Sequence, residues 1–263
     1  MDPVQAVLID IDGVLTVSWE AVAGAADALA RIRRAGLATT LVTNTTSRTR
    51  AEIAGLLGRA GFEVDPDAIL TAPAATAAYL AEHHPGARCL LLNSGDVRED
   101  LGDAEFIDPE DGDADPDVVV VGGAGPEFSY QALDRAFGYL KQGVPLVAMH
   151  RNWYWRTAQG LRLDSGAFVA GLEFAADVRA VVVGKPAPEF FATALRATGA
   201  PAETAVMVGD DIESDVLGAQ ECGITGVLVR TGKYDQAAVQ AAPGRPDHEL
   251  DSFAALPALL GVG

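Results

Sequence analysis

Cysteine is scarce in this chain of 263 residues, which contains Cys89 and Cys222 and no others. Two thiols cannot form a disulfide framework, and no cysteine or histidine spacing matches a tetrahedral zinc site. Long apolar runs are also lacking, since the first one is interrupted by Asp10 and none approaches the roughly 18 residues that cross a bilayer. With no secretory signal pattern at the N-terminus, the sequence predicts a cytoplasmic protein.

Basic residues are few. The 19 Lys and Arg face 37 Asp and Glu, giving a formal net charge of -18. Such a chain is not expected to bind nucleic acid or an anionic membrane unaided, because both require clustered positive charge. An anionic substrate would need a bound cation or a local basic cluster to offset this field.

Short apolar strands alternate with alanine-rich helical stretches along most of the sequence, which predicts an α/β fold with a parallel sheet covered by helices. The clearest predicted strands are 6–11, 38–43, 118–121, 144–148, 180–183, 205–208 and 227–229. The predicted helices are 21–35, 48–60, 130–141, 189–198 and 214–222.

Three other sequence features could indicate a calcium-binding or a nucleotide-binding site. Residues 99–117 hold ten carboxylates and no Lys or Arg, which is typical of a solvated loop and lacks the register of a calcium-binding loop. The glycines in 122–125 follow a strand, but Phe128 replaces the third glycine of a dinucleotide-binding loop. Gly184-Lys185 and Gly232-Lys233 lack the other residues of a P-loop.

Asp10 and Asp12 stand two residues apart at the end of an apolar strand, followed by Gly13. Strand periodicity places such a pair on one side, and ligands of open α/β sheets bind beyond the carboxyl ends of the strands. Capping of a helix would explain one of these aspartates but not both. The pair is therefore a candidate reactive site, with Gly13 allowing a close turn of the backbone.

Three further predicted strand ends carry matching chemistry. Each has an ordinary interpretation alone, as a helix cap or a surface residue, but together they favour a site for a phosphoryl group and a cation. The residues are Thr43, Asn44 and Thr45 after one strand, Lys185 after another, and Asp210, Asp211 and Asp215 after a third. Each adjacent pair of like charges costs about 4 kcal/mol at ~4 Å and an effective dielectric constant near 20. A divalent cation removes this cost, and an all-oxygen ligand set favours Mg²⁺.

These four motifs, in this order, resemble those of the haloacid dehalogenase superfamily of phosphohydrolases. Their spacing, together with the sequences 218–220 and 230–234, is similar to subfamily IIA, which includes sugar and nucleotide phosphatases. The resemblance implies a Rossmann-like parallel sheet core formed by 1–72 and 178–263, with an inserted α/β cap of type C2 at 73–177. It also implies a phosphatase that depends on Mg²⁺ and hydrolyses small phosphate monoesters, pyrophosphate or phosphoamino acids.

The same resemblance assigns roles to the site residues. Asp10 would be the nucleophile that forms an aspartyl phosphate, and Asp12 the general acid and base. The substrate-binding residues would be Thr43, Asn44, Thr45 and Lys185. The metal would be held by Asp10, the carbonyl of Asp12 and Asp210, with support from Asp211 and Asp215.

Other functions remain open from the sequence. A receiver-like signalling module or an inactive binding protein could carry a similar acidic cluster, although a lone receiver is much shorter and needs no equivalent of Asp12. A phosphotransferase or a dehalogenase is a further alternative. Arg151 and Arg156 either recognise the leaving group or belong to the cap as structural residues. The expected partner is a small phosphorylated substrate, and a homodimer is left open.

Overall fold

The computed structural model describes residues 3–107, 115–157 and 160–263, with the backbone only for 155–157. The predicted acidic loop therefore lies partly outside the described residues, at 108–114. The strands are β1 (Ala6–Asp10), β2 (Thr16–Val17), β3 (Glu20–Ala21), β4 (Ala38–Thr43), β5 (Ile69–Thr71), β6 (Arg88–Leu92), β7 (Glu105–Phe106), β8 (Val118–Val121), β9 (Leu146–Ala148), β10 (Tyr154–Thr157), β11 (Gly160–Leu163), β12 (Val181–Val182), β13 (Ala205–Gly209), β14 (Thr225–Val229) and β15 (His248–Leu250).

The α-helices are α1 (Ala25–Arg34), α2 (Arg50–Arg59), α3 (Ala72–His83), α4 (Tyr130–Lys141), α5 (Ser165–Ala176), α6 (Pro188–Thr198), α7 (Gly218–Glu221), α8 (Gln236–Ala241) and α9 (Leu256–Leu259). A π-helical segment, Ile212–Leu217, precedes α7 directly. None of these helices has both the length and the apolar character needed to cross a membrane, within the described part of the chain.

The chain divides into two compact units. The first unit comprises Met1–Thr43, Arg50–Leu70 and Lys185–Gly263, and the second comprises Asn44–Thr49 and Thr71–Gly184. The cap predicted from the sequence was residues 73–177. The short segment Asn44–Thr49 was not expected to group with it.

The first unit is built around a six-stranded sheet in the order β15-β14-β13-β1-β4-β5. Neighbouring strands from β15 to β4 are parallel. β1 is central, and all five of its residues are buried, because helices cover both faces of a parallel sheet. Its side chains Val7 and Ile9 pack in one core with Leu29 of α1 and Leu57 of α2.

The second unit holds a parallel sheet in the order β12-β9-β8-β6-β7. All four residues of β8 are buried, and Val119 and Val121 pack with Leu140 of α4 and Val169 of α5. β10 and β11 form a separate antiparallel hairpin. The prediction of an α/β fold with parallel sheets is confirmed by both units.

Helix starts follow local capping chemistry. α4 begins after Ser129, whose side chain accepts a hydrogen bond from the backbone N–H of Ala132. α3 begins after Thr71, which accepts in the same way from Ala74. Both hydroxyls satisfy a backbone donor that the helix itself leaves without a partner.

Candidate active site

The candidate site lies at the carboxyl ends of three neighbouring strands in the first unit. Asp10 is the last residue of β1 and is in register with Val42 of β4, so Thr43 follows at the same end of the sheet. On the other side of β1, strand β13 ends at Gly209 and is followed by Asp210. The parallel arrangement of the strands therefore brings these polar residues together at one edge.

Lys185 is the buried cation of this edge. Its side chain is 3% exposed, and its Nζ lies 2.6 Å from Oδ1 of Asp10 and 2.6 Å from Oδ1 of Asp215. Desolvation by burial acts to lower the pKa of Lys185, but the charges of Asp10 and Asp215 outweigh it and raise the pKa. Lys185 is therefore held as an ammonium ion.

The carboxylate of Asp210 lies close to the backbone of Lys233, Gly13 and Gly232. Its Oδ2 accepts a hydrogen bond of 2.6 Å from the backbone N–H of Lys233. A Cβ on Gly13 would lie 1.8 Å from this oxygen, and a Cβ on Gly232 would lie 2.0 Å from it. Both positions therefore require glycine, and their positive φ angles of 95° and 62° favour it as well.

The pKa of Asp210 is raised well above its usual value. Burial is the largest cause, followed by the negative charges of Asp10 and Asp215, while Lys233 partly opposes the shift. In the same way, burial raises the pKa of Asp215 to about 6, against the attraction of Lys185. The fold thus holds carboxylates where ionisation is unfavourable.

Asp215 lies in the π-helical segment Ile212–Leu217 that follows Asp210, and Asp211 is the N-cap of this segment. The side chain of Asp211 caps this segment by accepting hydrogen bonds of 3.0 Å from the N–H groups of Glu213 and Ser214. Oδ2 of Asp215 accepts a bond of 3.2 Å from the N–H of Asp211. The segment therefore orients Asp215, and Asp211 contributes through capping.

Asp10, Asp210 and Asp215 each offer a carboxylate oxygen, and these oxygens all lie within 4.8 Å of one another. The three side chains are buried, and the ammonium of Lys185 contacts the carboxylates of Asp10 and Asp215. Lys233 is a second cation near the cluster, so three ionised carboxylates would exceed the positive charge by one. Oxygen donors, buried position and excess charge all fit a hard divalent cation. The residues present are therefore suited to Mg²⁺.

The other predicted residues are placed as follows. Asp12 lies just beyond β1 and is exposed, whereas Asp10 is 6% exposed. Thr43 is buried at the end of β4. Asn44 and Thr45 directly follow Thr43 in the chain but group with the second unit.

Lys233 is a functional candidate to which the sequence motifs assign no role. Partial desolvation acts to lower the pKa of its ammonium group, but the charges of Asp210, Asp10 and Asp215 raise the pKa overall. The available signal was the similarity of 230–234 to the family, which was noted without a role.

Arg151 is engaged in an ion pair inside the second unit. Its Nη2 lies 2.5 Å from Oε2 of Glu173, a side chain that is buried. This contact favours the structural interpretation for Arg151. The side chain of Arg156 lies outside the described part of the structure.

Both ends of the chain match known families. Residues 7–107 match the haloacid dehalogenase-like hydrolases, and residues 182–256 match a family described as HAD-hydrolase-like. Phospholysine phosphohistidine inorganic pyrophosphate phosphatase of Rattus norvegicus is 39% identical over 95% of this chain and 92% of its own. Haloacid dehalogenase-like hydrolase domain-containing protein 2 of Homo sapiens is 40% identical over 88% of this chain and 85% of its own.

Solved structures give the same result. NagD from Escherichia coli K-12 has 30% sequence identity and a TM-score of 0.85, covering 95% of this chain and 97% of its own. The fold is also shared with a 4-nitrophenylphosphatase from Thermotoga maritima, with a TM-score of 0.89, 24% identity and coverage of 98% and 97%.

The crowding of buried carboxylates predicts that Asp210→Asn stabilises the metal-free protein. The amide keeps the acceptor for the N–H of Lys233 but removes a charge that burial, Asp10 and Asp215 disfavour. We expect a melting temperature about 2–4 °C higher in chelator at pH 7.5, equivalent to about 1 kcal/mol. The difference should narrow at lower pH, because a group with a raised folded pKa stabilises the wild type only when protonated.

Asp65→Asn is the matched control. Asp65 is a capping residue that accepts from the N–H of Asp67, and asparagine caps equally well. This variant removes one charge remote from the site and should leave the melting temperature unchanged. A lower melting temperature for Asp210→Asn than for Asp65→Asn would contradict the predicted repulsion.

Proposed function

The chain belongs to the haloacid dehalogenase-like hydrolases, as a phosphatase of subfamily IIA, and from that premise we propose that it hydrolyses small phosphate monoesters through an aspartyl phosphate on Asp10. The observation that carries this proposal is the contact of Asp10 with the ammonium of Lys185 beside two further buried carboxylates. A carboxylate held at a strand end by a fixed cation is suited to attack a phosphorus atom.

In the first step, an oxygen of Asp10 attacks phosphorus while the bond from phosphorus to the leaving oxygen breaks. Asp12 gives its proton to that oxygen, so the product leaves as an alcohol. Thr43, Asn44, Thr45 and Lys185 bind the phosphoryl oxygens in this proposal. The exposed position of Asp12 supports its role, since it must exchange protons with substrate and water.

In the second step, water attacks the phosphorus atom of the aspartyl phosphate. Asp12, now a carboxylate, accepts a proton from this water, and the bond between Asp10 and phosphorus breaks. Inorganic phosphate is released and both aspartates return to their starting states. One acid/base group thus serves both displacements.

Mg²⁺ completes the proposal. It would be held by Asp10, the carbonyl of Asp12 and Asp210, with Asp215 and Asp211 in support. When bound, Mg²⁺ supplies positive charge that stabilises the charge developing on the phosphoryl oxygens. The chain's own contribution is to hold these carboxylates together before the cation arrives.

The second unit is proposed as the cap that selects the substrate. The relatives act, by their names, on phospholysine, phosphohistidine, pyrophosphate and 4-nitrophenyl phosphate, which supports small phosphorylated molecules as the substrate class. Phosphoamino acids and pyrophosphate are therefore included beside monoesters. A cytoplasmic location remains part of the proposal.

Removal of the metal tests the cofactor. Turnover of 4-nitrophenyl phosphate should fall to background after dialysis against EDTA and return when Mg²⁺ is added, because the carboxylate cluster would otherwise repel the substrate. Undiminished turnover in chelator would refute the metal requirement. Circular dichroism in the two buffers shows whether the fold is retained.

Asp10→Asn tests the nucleophile, with Asp12→Asn as its matched control. Asp10→Asn should lower turnover by on the order of 10³-fold or more and incorporate no phosphate. Asp12→Asn should be slowed by about 10²–10⁴-fold. With an aryl phosphate, whose leaving group needs little protonation, it should accumulate the phosphoprotein. Labelled phosphate on Asp10→Asn, or its absence on Asp12→Asn, would contradict the assigned roles.

A homodimer is supported by one face of α5. Phe174 is 91% exposed, and its exposed neighbours on the helix are Ala167, Ala170, Gly171 and Ala175. If two such helices cross antiparallel at Ala170 and Gly171, the Phe174 of each copy meets the small Ala167 of the other. This face is therefore complementary to itself, as a two-fold interface requires.

Light scattering over a range of concentrations measures the assembly. We expect a dimer mass for the wild type and a monomer mass for Phe174→Glu, because a charge in an apolar interface is left without a partner. Tyr130→Glu is the control, since Tyr130 is an equally conspicuous exposed aromatic residue of the same unit, at 78% exposure. A monomeric wild type, or a dimeric Phe174→Glu, would refute this interface.

A further inference from the structure

The segment Asn44–Thr49 continues strand β4 in the chain, yet it groups with the second unit. It begins directly after Thr43 and carries Asn44 and Thr45, which the proposed function assigns to phosphate binding. Within the second unit, hydrogen bonds to the next residue, Thr46, connect this segment to the rest of the unit. Thr46 is buried.

Asn93 holds the backbone of Thr46. Its Nδ2 donates hydrogen bonds of 2.9 Å to the carbonyl oxygens of Thr46 and Gly95. Its Oδ1 accepts a bond of 2.9 Å from the N–H of Gly123. Both ends of the amide are used, so Asn93 links the loop after β8 to the segment that contains Thr46.

The glycines after β8 provide the space for this link. A Cβ on Gly122 would lie 2.0 Å from Oδ1 of Asn93. A Cβ on Gly123 would lie 2.3 Å from Oγ1 of Thr46. Any larger residue at either position would displace the side chain that fixes the segment.

His150 holds the side chain of Thr46. Its Nδ1 accepts a hydrogen bond of 3.2 Å from the N–H of Asn152, so the neutral ring carries its proton on Nε2. Nε2 lies 3.5 Å from Oγ1 of Thr46. Backbone and side chain of Thr46 are thus anchored separately, by Asn93 and by His150.

We propose that Asn93, Gly122 and Gly123 are positioning residues that fix residues 44–46 for binding of the phosphoryl group. This inference rests on the proposed function, because it concerns the same reaction. It also gives a role to the glycine run 122–125, which resembles a nucleotide-binding loop in sequence. The glycines make room for protein side chains rather than for a dinucleotide.

Gly123→Ala tests the proposal by displacing Thr46. Well below the melting temperature, we expect kcat/KM for 4-nitrophenyl phosphate to fall about tenfold and the inhibition constant of inorganic phosphate to rise about tenfold. Gly138→Ala is the control, since Gly138 lies in α4 of the same unit with no heavy atom within 4 Å of an added Cβ. It should leave both constants unchanged.

A second substitution tests whether the clash with Oγ1 of Thr46 causes the effect of Gly123→Ala. Oγ1 of Thr46 is the close contact of the added Cβ, and the next atom, Cβ of Thr46, lies 3.6 Å away. Thr46→Ala in the Gly123→Ala background should therefore return the inhibition constant of phosphate to that of Thr46→Ala alone. Thr46→Val keeps a methyl group at the clashing position and should give no such recovery.

The outcomes separate the two proposals. If the wild type lacks phosphatase activity, the proposed function fails. If the wild type is active and Gly123→Ala leaves the inhibition constant of phosphate unchanged, or if Thr46→Val recovers as well as Thr46→Ala, the positioning role is overturned. Should Gly123→Ala not fold, Asn93→Asp takes its place, because it loses the donor to Thr46 and keeps the acceptor for Gly123.

Discussion

The interaction on which the candidate site depends is the ammonium of Lys185 held between the carboxylates of Asp10 and Asp215, at 2.6 Å from each. All three groups are buried, and the ammonium of Lys185 supplies the positive charge that offsets the burial of the two carboxylates. Lys185 and Lys233 supply two positive charges, which cannot balance three ionised carboxylates at Asp10, Asp210 and Asp215. Ionisation of all three carboxylates is therefore unfavourable without a further cation, and a divalent cation would remove this cost.

Close approach of the backbone is the second constraint, and glycine provides it in both units. Gly13 and Gly232 leave room for the carboxylate of Asp210, and a Cβ on Gly209 would lie 2.2 Å from Cβ of Asp215. In the second unit, Gly122 and Gly123 leave room for Asn93 and Thr46 in the same way. Glycine at these positions determines where the polar side chains can lie, because an added methyl group would clash with a carboxylate, hydroxyl or amide oxygen.

The sequence predicted the residues that stand at strand ends, because strand ends are local patterns. Asp10, Thr43 and Asp210 follow apolar runs and are found at one edge of the sheet. Contacts between residues far apart in the sequence were harder to predict. Asp215 was assigned only a supporting role, although its carboxylate lies with those of Asp10 and Asp210. The helices α3 and α5 were not among those predicted. Both are rich in alanine, and α5 has a single charged residue, Glu173, which is buried, so neither shows the polar face that marks an amphipathic helix.

The unequal burial of Asp10 and Asp12 agrees with the roles proposed for them, nucleophile for Asp10 and acid/base for Asp12. A nucleophile gains from a site without water, because a desolvated carboxylate interacts strongly with the cations that orient it. An acid/base group must instead reach the leaving oxygen and then a water molecule. Asp10 ends the buried strand β1 beside Lys185, whereas Asp12 lies beyond it at an exposed position. Asp10 and Asp12 are two residues apart in the chain, yet the first is buried and the second is exposed. Gly13 follows them at the start of the turn.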